Sequence, residues 1–279
     1  MRVGVSTLPF IRRDATDRNR TSPFAFTGNK FEFRMVGSSQ SLGMPNTVLN
    51  TIVAESLSRM ADALEAADDR ESAWGAMMAE QYAAHSRVLF NGNNYDAAWT
   101  AEAARRGLPA IDNTVDAVDV YGSEQARAVL NRHGVLSDHE SLARREIALQ
   151  NYATQGHIEA VTMVKIARQT ILPACARYSG VLADAAAASK QAGVAAPAQT
   201  AMLRDLNRRM NDCRGAADAL DEAMRRQIPE TAFEQAVLHR DELRPRMEKL
   251  RAAVDALECI VDKAYWPLPS YGEMLFRIV

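Results

Sequence analysis

Apolar residues recur at three- and four-residue intervals along most of this chain, which is the spacing of amphipathic helices. Breaks with turn chemistry, such as Asn91-Gly92-Asn93-Asn94 and Gly107-Leu108-Pro109, separate the helical segments. The pattern therefore predicts a predominantly α fold. Helices are expected at residues 47–67, 72–90, 96–106, 113–121, 123–133, 137–178 with an interruption near Gly156, 180–192, 198–227 and 230–263.

The segments 198–227 and 230–263 carry apolar stripes among many arginines and glutamates. Such stripes usually pack a core, so we expect a large helical bundle with long antiparallel helices and assign no chemistry to them. The tail Tyr265-Trp266-Pro267-Leu268-Pro269 cannot continue a helix because of its prolines. Its aromatic residues predict that it docks back on the body.

One stretch near the start of the chain has a different period. Residues Thr21–Phe26 and Asn29–Val36 are aromatic and strand-like, and the Gly-Asn pair in Thr27-Gly28-Asn29 predicts a hairpin turn between them. The fold class is therefore α+β, with one β-hairpin ahead of the helices. Because an isolated hairpin is marginally stable in water, we expect this hairpin to belong to a larger sheet.

The second predicted strand carries a row of charged residues. Side chains alternate along a strand, so Lys30, Glu32 and Arg34 share one face. One interpretation is a solvated face, on which ion pairs contribute under about 1 kcal/mol each. The other is a site that binds an anion and a divalent metal together, since glutamate ligates Mg²⁺ or Mn²⁺ and the cations hold phosphate. Strand statistics favour the first, but Arg18 and Arg20 just upstream favour the second.

The bulk properties describe an ordinary globular protein of 279 residues with a net charge of −2 and a pI near 6.2. They do not suggest a nucleic-acid-binding protein. The sequence shows no signal peptide and no apolar run of the length that crosses a bilayer, so we expect a cytoplasmic protein without a membrane partner. We identify no P-loop, dinucleotide-binding fingerprint or Ser-His-Asp arrangement.

Cysteines and histidines carry no clear chemistry. Cys175, Cys213 and Cys259 are odd in number and far apart, which predicts reduced thiols that act as partly buried small hydrophobes. The five histidines lack metal-ligand spacing, so each is expected to be a surface or capping residue. They are His85, His133, His139, His157 and His239.

The stretch "DRNRTSPFAFTGNKFEFRMVGSSQS", followed by "PNTVLNTIVAES", resembles the C-terminal part of the catalytic domain of type III glutamine synthetase. Further stretches, including "NGNNYDAAWTAEAARRGLP", "RREIALQNYATQGHIEAVTMVKIARQTILPA" and "YWPLPSYGEMLF", resemble the family's C-terminal region. The resemblance covers essentially the whole chain but only the last part of the family's longer chain. It implies that residues 1–70 are the edge of the catalytic domain, hairpin plus helix, and that residues 71–279 are the helical C-terminal region.

The resemblance implies ATP-dependent ligation of glutamate and ammonia through γ-glutamyl phosphate, with Mg²⁺ or Mn²⁺. Glu32 then corresponds to a metal ligand, and Arg34 to the arginine that holds glutamate and the transferring phosphoryl group. Arg20 corresponds to an arginine that neutralises charge on the γ-phosphate, and Lys30 to a basic residue near the ATP phosphates. Shorter glutamine synthetases carry another arginine five residues after the one that Arg20 resembles. Ala25 stands there in this chain.

The family's remaining metal ligands, ammonium site and nucleotide-binding loops come from sequence upstream of this region. We therefore expect the lone chain not to catalyse the ligation without an upstream glutamine synthetase polypeptide or further subunits. The resemblance also implies a homo-oligomer. The alternative is a non-catalytic helical module that acts in interaction or assembly.

Overall fold

The computed structural model describes residues 24–26, 31–33, 41–89, 97–226 and 229–276. Helices dominate these residues, which confirms the predominantly α fold. The strands are β1 (Phe24–Phe26) and β2 (Phe31–Phe33). The α-helices are α1 (Gly43–Glu65), α2 (Arg70–His85), α3 (Ala97–Arg105), α4 (Thr114–Asp119), α5 (Glu124–Arg132), α6 (Asp138–Ile166), α7 (Leu172–Gln191), α8 (Pro197–Met224), α9 (Ala232–Leu238), α10 (Arg244–Glu258) and α11 (Tyr271–Leu275).

The two short strands pair with each other in antiparallel orientation. The register sets Phe24 opposite Phe33, Ala25 opposite Glu32 and Phe26 opposite Phe31. Both strands fall within the segments that the sequence predicts as strands. The predicted turn Thr27-Gly28-Asn29 lies outside the described residues, and the larger sheet around the pair stays a prediction.

The chain divides into two compact units. Unit 1 contains the residues up to Asp112 together with Glu124–Asp138, and unit 2 contains Asn113–Ser123 and the residues from His139 onward. The two units are defined by how the residues pack against one another in the structure. The boundary expected at residue 70 is a family boundary, and it stays a prediction.

The start of α1 differs from the sequence prediction. The helix begins at Gly43. Its N-cap residue, Leu42, offers no capping side chain, but the hydroxyl of Ser41 accepts from the N–H of Gly43 at 3.1 Å. Thr47, where the sequence predicts that this helix begins, lies inside the helix, and its hydroxyl donates to the carbonyl oxygen of Gly43 at 2.8 Å. The start of α2 is capped by Asp69, whose carboxylate accepts from the backbone N–H groups of Glu71 and Ser72.

The core of unit 2 lies between α7, α8 and α10. A turn at Gly193, whose φ of 76° favours glycine, reverses the chain between α7 and α8 and makes them antiparallel. Burial of a large aliphatic side chain contributes about 1.5–3 kcal/mol, so this seam is the main source of stability in the unit. The largest fully buried aliphatic side chains of this core are Ile171, Leu206, Leu220, Leu250 and Leu257.

The C-terminal tail packs against this core, as the sequence predicts. Tyr265 and Trp266 are half-buried against it, and the ring of Tyr265 lies 5.5 Å from the ring of Tyr178. A short helix, α11, follows, and Ser270 precedes it as the N-cap residue. Ser270 and Glu273 form a capping box, in which each side chain binds the other residue's backbone N–H.

The three cysteines are free thiols. Cys175 and Cys213 are fully buried in the core, and burial raises the pKa of each thiol to about 11. The prediction of reduced, hydrophobe-like cysteines holds for these two. Cys259 is exposed at the end of α10, so its predicted partial burial is wrong.

Two π turns interrupt the long helices, at Ala167–Ile171 and His239–Leu243. Each ends two residues before a proline, Pro173 or Pro245. Proline lacks a backbone N–H, and its ring clashes with the carbonyl four residues earlier. The wider π turn accommodates both effects without ending the helix.

The interruption that the sequence predicts near Gly156 is wrong. The helix is interrupted instead by the π turn at Ala167–Ile171. The helix runs through Gly156, and residues 138–191 form one continuous helical rod with the π turn inside it. The predicted separation between residues 178 and 180 is also absent, because α7 passes through both positions. Glycine in a helix interior is unfavourable but does not by itself end a helix.

Gly156 instead provides space for His239. An ideal Cβ at Gly156 would lie 1.8 Å from Nε2 of His239, so the imidazole occupies the space that any other side chain would fill. The ring of His239 meets that of Tyr152 edge-on, with centroids 5.2 Å apart. His239 is only 6% exposed, and the prediction that it is a surface or capping residue is therefore wrong.

Gly156→Ala is expected to destabilise the protein by about 1–3 kcal/mol, because the added methyl group overlaps the imidazole of His239. Gly215→Ala is the matched control. Gly215 lies in the interior of α8 with nothing within 4 Å of its Cβ position, so alanine there is expected to stabilise by about 1 kcal/mol. Urea unfolding of the full chain measures both. Equal effects of the two substitutions would contradict the assigned contact.

The stability of unit 2 is expected to fall as the pH drops below 6.5. Burial lowers the pKa of His239 below its ordinary value of 6.5, although the nearby Gly156 backbone opposes this effect. The unfolded chain then binds the proton more readily than the folded chain does, so this contribution to stability is complete above 6.5 and is lost toward the lower folded pKa. Urea unfolding at several pH values should show a weaker dependence in this window for His239→Gln. An unchanged slope would contradict the assignment.

Candidate functional site

The structure describes only part of the charged strand that the sequence predicts as a phosphate and metal site. Arg20, Lys30 and Arg34 lie outside the described residues. Glu32 lies in β2, and its backbone is paired with Ala25 of β1. The placement of these four charged side chains on one site therefore stays a prediction.

A second acidic group, Glu55 on α1 in unit 1, is described in full. It is 6% exposed, and it lies one helical turn after Thr51, which is 4% exposed. The hydroxyl of Thr51 is satisfied within the helix, since it donates to the carbonyl oxygen of Thr47 at 2.7 Å. The buried face of α1 thus carries a carboxylate, and a buried carboxylate requires charged or hydrogen-bonding partners.

Three cationic or protonatable side chains supply those partners. Arg132 donates to Oε1 of Glu55 at 2.6 Å, and Arg59 donates to the same oxygen at 2.7 Å. Nε2 of His133 lies 2.9 Å from Oε2. We call Glu55, Arg59, Arg132 and His133 the Glu55 cluster.

The end of α5 sets the position of Arg132 and His133. The helix ends at Arg132, and Gly134 follows with a φ of 63°, which favours glycine. The N–H of Gly134 donates to the carbonyl oxygen of Asn131 at 2.9 Å, which closes the turn. Cations are also favourable at the negative end of a helix dipole. The turn therefore places both basic side chains beside Glu55 at the end of α5.

The electrostatics of the cluster keep Glu55 ionised. The hydrogen bond from His133 holds the pKa of Glu55 below its ordinary value of 4.5; Arg59 and Arg132 act in the same direction, and burial partly opposes them. Both carboxylate oxygens already have basic partners. The cluster is therefore an ionic clamp between α1 and α5 rather than an open ligand for a metal.

The residues that the structure describes do not bring together a set of metal ligands. Among those residues, no group of three or more histidine, cysteine, aspartate or glutamate side chains could hold a metal ion. The expected metal ligand Glu32 would contribute a single carboxylate from β2. Further ligands would have to come from elsewhere for the site to bind a divalent cation.

The three- and four-residue spacing of apolar residues in α1 predicts a buried stripe that includes Ile52 and Leu57, and this pattern does not reveal the Glu55 cluster. In that stripe Ile52 and Leu57 are 50% and 60% exposed, whereas Glu55 is buried. His133 is likewise half-buried and paired, so its expected place as a surface or capping residue is wrong. A partial signal exists in the adjacent Arg132 and His133 at a predicted helix end, but their partner lies far away in sequence.

Unit 2 has an open cleft of about 390 Å³ beside α4 and α6. Two carboxylates line it, and each is paired with an arginine. Asp119 accepts from Nε of Arg145 at 2.7 Å, and Asp116 accepts from Arg240 at 2.8 Å. The guanidinium of Arg145 also lies over the ring of Phe233, 5.4 Å from its centroid. These pairings account for both carboxylates, so we assign the cleft no catalytic chemistry.

Residues 73–190 match the family model described as the glutamine synthetase C-terminal domain. This region extends from α2 to the end of α7 and covers most of the helical rod. Residues 73–190 therefore belong to the glutamine synthetase C-terminal domain family.

The relatives define the family further. The chain is 34% identical over 99% of its length to a type-3 glutamine synthetase of Dictyostelium discoideum. It is 30% identical over 99% of its length to a glutamine synthetase of Bacteroides fragilis, and 32% identical over 95% to one of Butyrivibrio fibrisolvens. The resemblance to type III glutamine synthetase is confirmed. The chain spans 39% of the length of each of these relatives.

None of the described helices combines the length and the apolar character needed to cross a membrane.

Glu55→Gln is expected to lower the stability of unit 1, because it removes the charge that Arg59, Arg132 and His133 share. Because the pKa of Glu55 is lowered on folding, the contribution of the carboxylate is present above 4.5 and is lost as the pH falls through the folded pKa. Thermal unfolding near neutral pH and below pH 4.5 measures this.

The matched control is Glu65→Gln, which removes an exposed carboxylate from the end of the same helix. It should leave the unfolding temperature nearly unchanged. The clamp would be disproved if Glu55→Gln were as neutral as this control at pH 7.

Proposed function

We propose that this chain forms part of a type III glutamine synthetase and supplies one wall of its active site. The observation that carries the proposal is the match to three glutamine synthetases along 95–99% of the chain. The reaction proposed is the family's ATP-dependent ligation of glutamate and ammonia. The proposed partners are these substrates, Mg²⁺ or Mn²⁺, and an upstream glutamine synthetase polypeptide or further subunits in a homo-oligomer.

The charged strand would supply the chemistry of this wall. In the proposed reaction the γ-carboxylate of glutamate attacks the γ-phosphorus of ATP and releases ADP. Ammonia then displaces phosphate from γ-glutamyl phosphate and loses a proton to give glutamine. Arg20 and Lys30 would hold phosphate oxygens, and Arg34 would bind glutamate and the transferring phosphoryl group. Such cations stabilise charge that is spread over the phosphoryl oxygens without forming a covalent bond.

Glu32 would bind the divalent cation that the reaction needs. A carboxylate is a suitable hard ligand for Mg²⁺ or Mn²⁺, and the bound cation supplies charge neutralisation for the ATP phosphates. One carboxylate does not complete a coordination shell. We therefore propose that the remaining ligands come from the three-fifths of the relatives' length that this chain does not span.

The lone chain is accordingly proposed to be inactive. Phosphoryl transfer depends on several ligands that place the cation and the phosphates together, and a single wall supplies too few of them. The alternative function is a non-catalytic helical module for interaction or assembly. The family-model match supports this alternative, because residues 73–190 lie outside the charged strand.

Complementation distinguishes the two functions. The chain is purified alone and also co-expressed with the part of a type III relative that it does not span, and glutamine formation is measured with ATP and Mg²⁺. We expect activity from the pair and none from either part. Activity from the chain alone would disprove the incomplete site, and a stable but inactive pair would favour the assembly module.

In the active pair, Glu32→Ala and Arg34→Ala are each expected to reduce glutamine formation about 10²–10³-fold. Arg34→Ala removes a cation that stabilises transition-state charge, and Glu32→Ala removes a ligand of the metal ion that does so. Glu32→Ala should also raise the Mg²⁺ concentration required for half-maximal rate. Exposed Glu65→Ala is the control and should retain full activity. Circular dichroism checks that each variant is folded. Wild-type turnover in both strand variants would contradict the assigned roles.

A further inference from the structure

The first long helix of unit 1 turns an apolar face to solvent. Ile52, Val53 and Leu57 are 50%, 39% and 60% exposed. Val53 and Leu57 each lie two residues from Glu55, which places them about 160° away from it around the helix. Because Glu55 is buried, Val53 and Leu57 lie on the outer side of α1. We call Ile52, Val53 and Leu57 the α1 face.

The polarity of α1 is the reverse of that of an ordinary surface helix, which buries its apolar stripe and exposes its charges. In α1, Glu55 is buried and binds Arg132 and His133 at the end of α5, whereas the α1 face is exposed. This arrangement is expected for a helix that has a charged contact on one side and lacks an apolar partner on the other. The α1 face therefore indicates a surface that binds another polypeptide.

The neighbouring helix α2 also lacks an apolar partner. It packs against α1, but none of its residues is buried. Its two large aromatic side chains, Trp74 and Tyr82, are both exposed. Tryptophan and tyrosine are enriched among the residues that contribute most to protein–protein binding. Two adjacent helices of unit 1 thus present large apolar side chains to solvent.

The strand pair ahead of α1 has an apolar face of its own. Directly opposite residues of an antiparallel pair share a face, so the register of β1 and β2 groups four phenylalanines on one face and places Glu32 on the other. The four are Phe24, Phe26, Phe31 and Phe33. Two strands of three residues each do not form a stable sheet alone, so we expect further strands to extend the pair and its apolar face.

We propose that the α1 face binds the apolar face of this extended sheet, whose further strands belong to the upstream glutamine synthetase polypeptide. This inference rests on the proposed function, which supplies that polypeptide as a partner. Helices and sheets form layers in which their apolar sides are in contact. Helix α1 begins at Gly43, ten residues after the end of β2 at Phe33. Ten residues span at most about 35 Å, so α1 lies within reach of the same sheet.

This arrangement leaves the charged face of the strand pair open. Glu32 lies on the face opposite the phenylalanines, so a sheet that binds α1 through its apolar face presents Glu32 on its other side. ATP and a divalent cation can then reach Glu32 without displacing the helix. The α1 face thus holds the upstream polypeptide in place without occupying the proposed catalytic wall.

A second copy of the chain and a membrane surface fit the α1 face less well. Two copies that joined through this face would leave the apolar face of each strand pair uncovered. Membrane-binding helices carry many lysines and arginines on their polar side, whereas α1 carries Arg59 alone, and Arg59 is paired with Glu55. The upstream polypeptide is also large enough to supply a sheet, because the chain spans only 39% of the length of its relatives.

Co-purification tests this surface without any measurement of activity. The tagged full chain is co-expressed with the part of a type III relative that it does not span, and the amount of that part recovered with the chain is measured. Leu57→Glu should reduce the recovery at least about tenfold, because it buries a charge in an apolar contact. The matched control is Ile158→Glu on α6 of unit 2, where the isoleucine is 55% exposed, and it should retain full recovery.

Urea unfolding of the lone chain separates a lost contact from a lost fold. Leu57 is exposed in the lone chain, so Leu57→Glu should leave the unfolding midpoint unchanged. Full recovery of the upstream part with Leu57→Glu would overturn the proposal. An equal loss of recovery with Ile158→Glu, or no recovery with the wild-type chain, would also overturn it.

Thiol protection tests the same contact without a charged substitution, and it decides the matter if Leu57→Glu unfolds. In a Cys259→Ser background the remaining native thiols, Cys175 and Cys213, are buried. Leu57→Cys should react with a maleimide at least about tenfold more slowly in the co-purified pair than in the lone chain. Ile158→Cys should react equally fast in both. Equal reactivity of Leu57→Cys in the two states would overturn the proposal. Protection that appears in the lone chain as its concentration rises would identify a second copy as the occupant and would overturn it as well.

These experiments distinguish failure of the α1 face from failure of the ligase function. A pair that binds through Leu57 but forms no glutamine would contradict the ligase function and support the α1 face. A pair that forms glutamine and tolerates Leu57→Glu would support the ligase function and overturn the α1 face.

Discussion

Proline within a long helix is the constraint on which unit 2 depends. Pro173 and Pro245 each lack the N–H that an α-helix needs, and a proline in a helix interior typically costs about 3 kcal/mol. The chain meets this constraint with a π turn before each proline, so both helices continue. Each π turn also carries an arginine that pairs with another helix. Arg168 binds Asp218 and Asp221 of α8, and Arg240 binds Asp116 of α4.

The second π turn has a further consequence, because it directs His239 into the backbone of α6. The imidazole fits only where a helix lacks a side chain, and Gly156 provides that place. A glycine at position 156 weakens α6 locally. The contact with His239 offsets this effect, because it joins α6 to the π turn between α9 and α10. Proline, π turn, buried histidine and helical glycine thus form one linked arrangement.

Much of this architecture can be predicted from the sequence, and the features that cannot be predicted share one physical cause. Periodicity predicts the bundle of α7, α8 and α10 because local apolar spacing and core packing agree there. It fails at Gly156 and at Glu55 because the deciding partners are distant in sequence. The proline positions were a local signal for the π turns, whereas nothing local identifies His239 as the partner of Gly156.

The candidate site can likewise be predicted only in part from the sequence. Alternation along β2 predicts which residues share a face, but three of the four predicted site residues lie outside the described part of the chain, so their convergence is still a matter for experiment. The described acidic group, Glu55, has a basic partner on each carboxylate oxygen and joins α1 to the end of α5. A carboxylate that binds a metal needs oxygens that face the ion, whereas those of Glu55 face arginine and histidine side chains. The Glu55 cluster therefore supports the scaffold of unit 1, and the proposed chemistry rests on the charged strand that precedes α1 in the sequence.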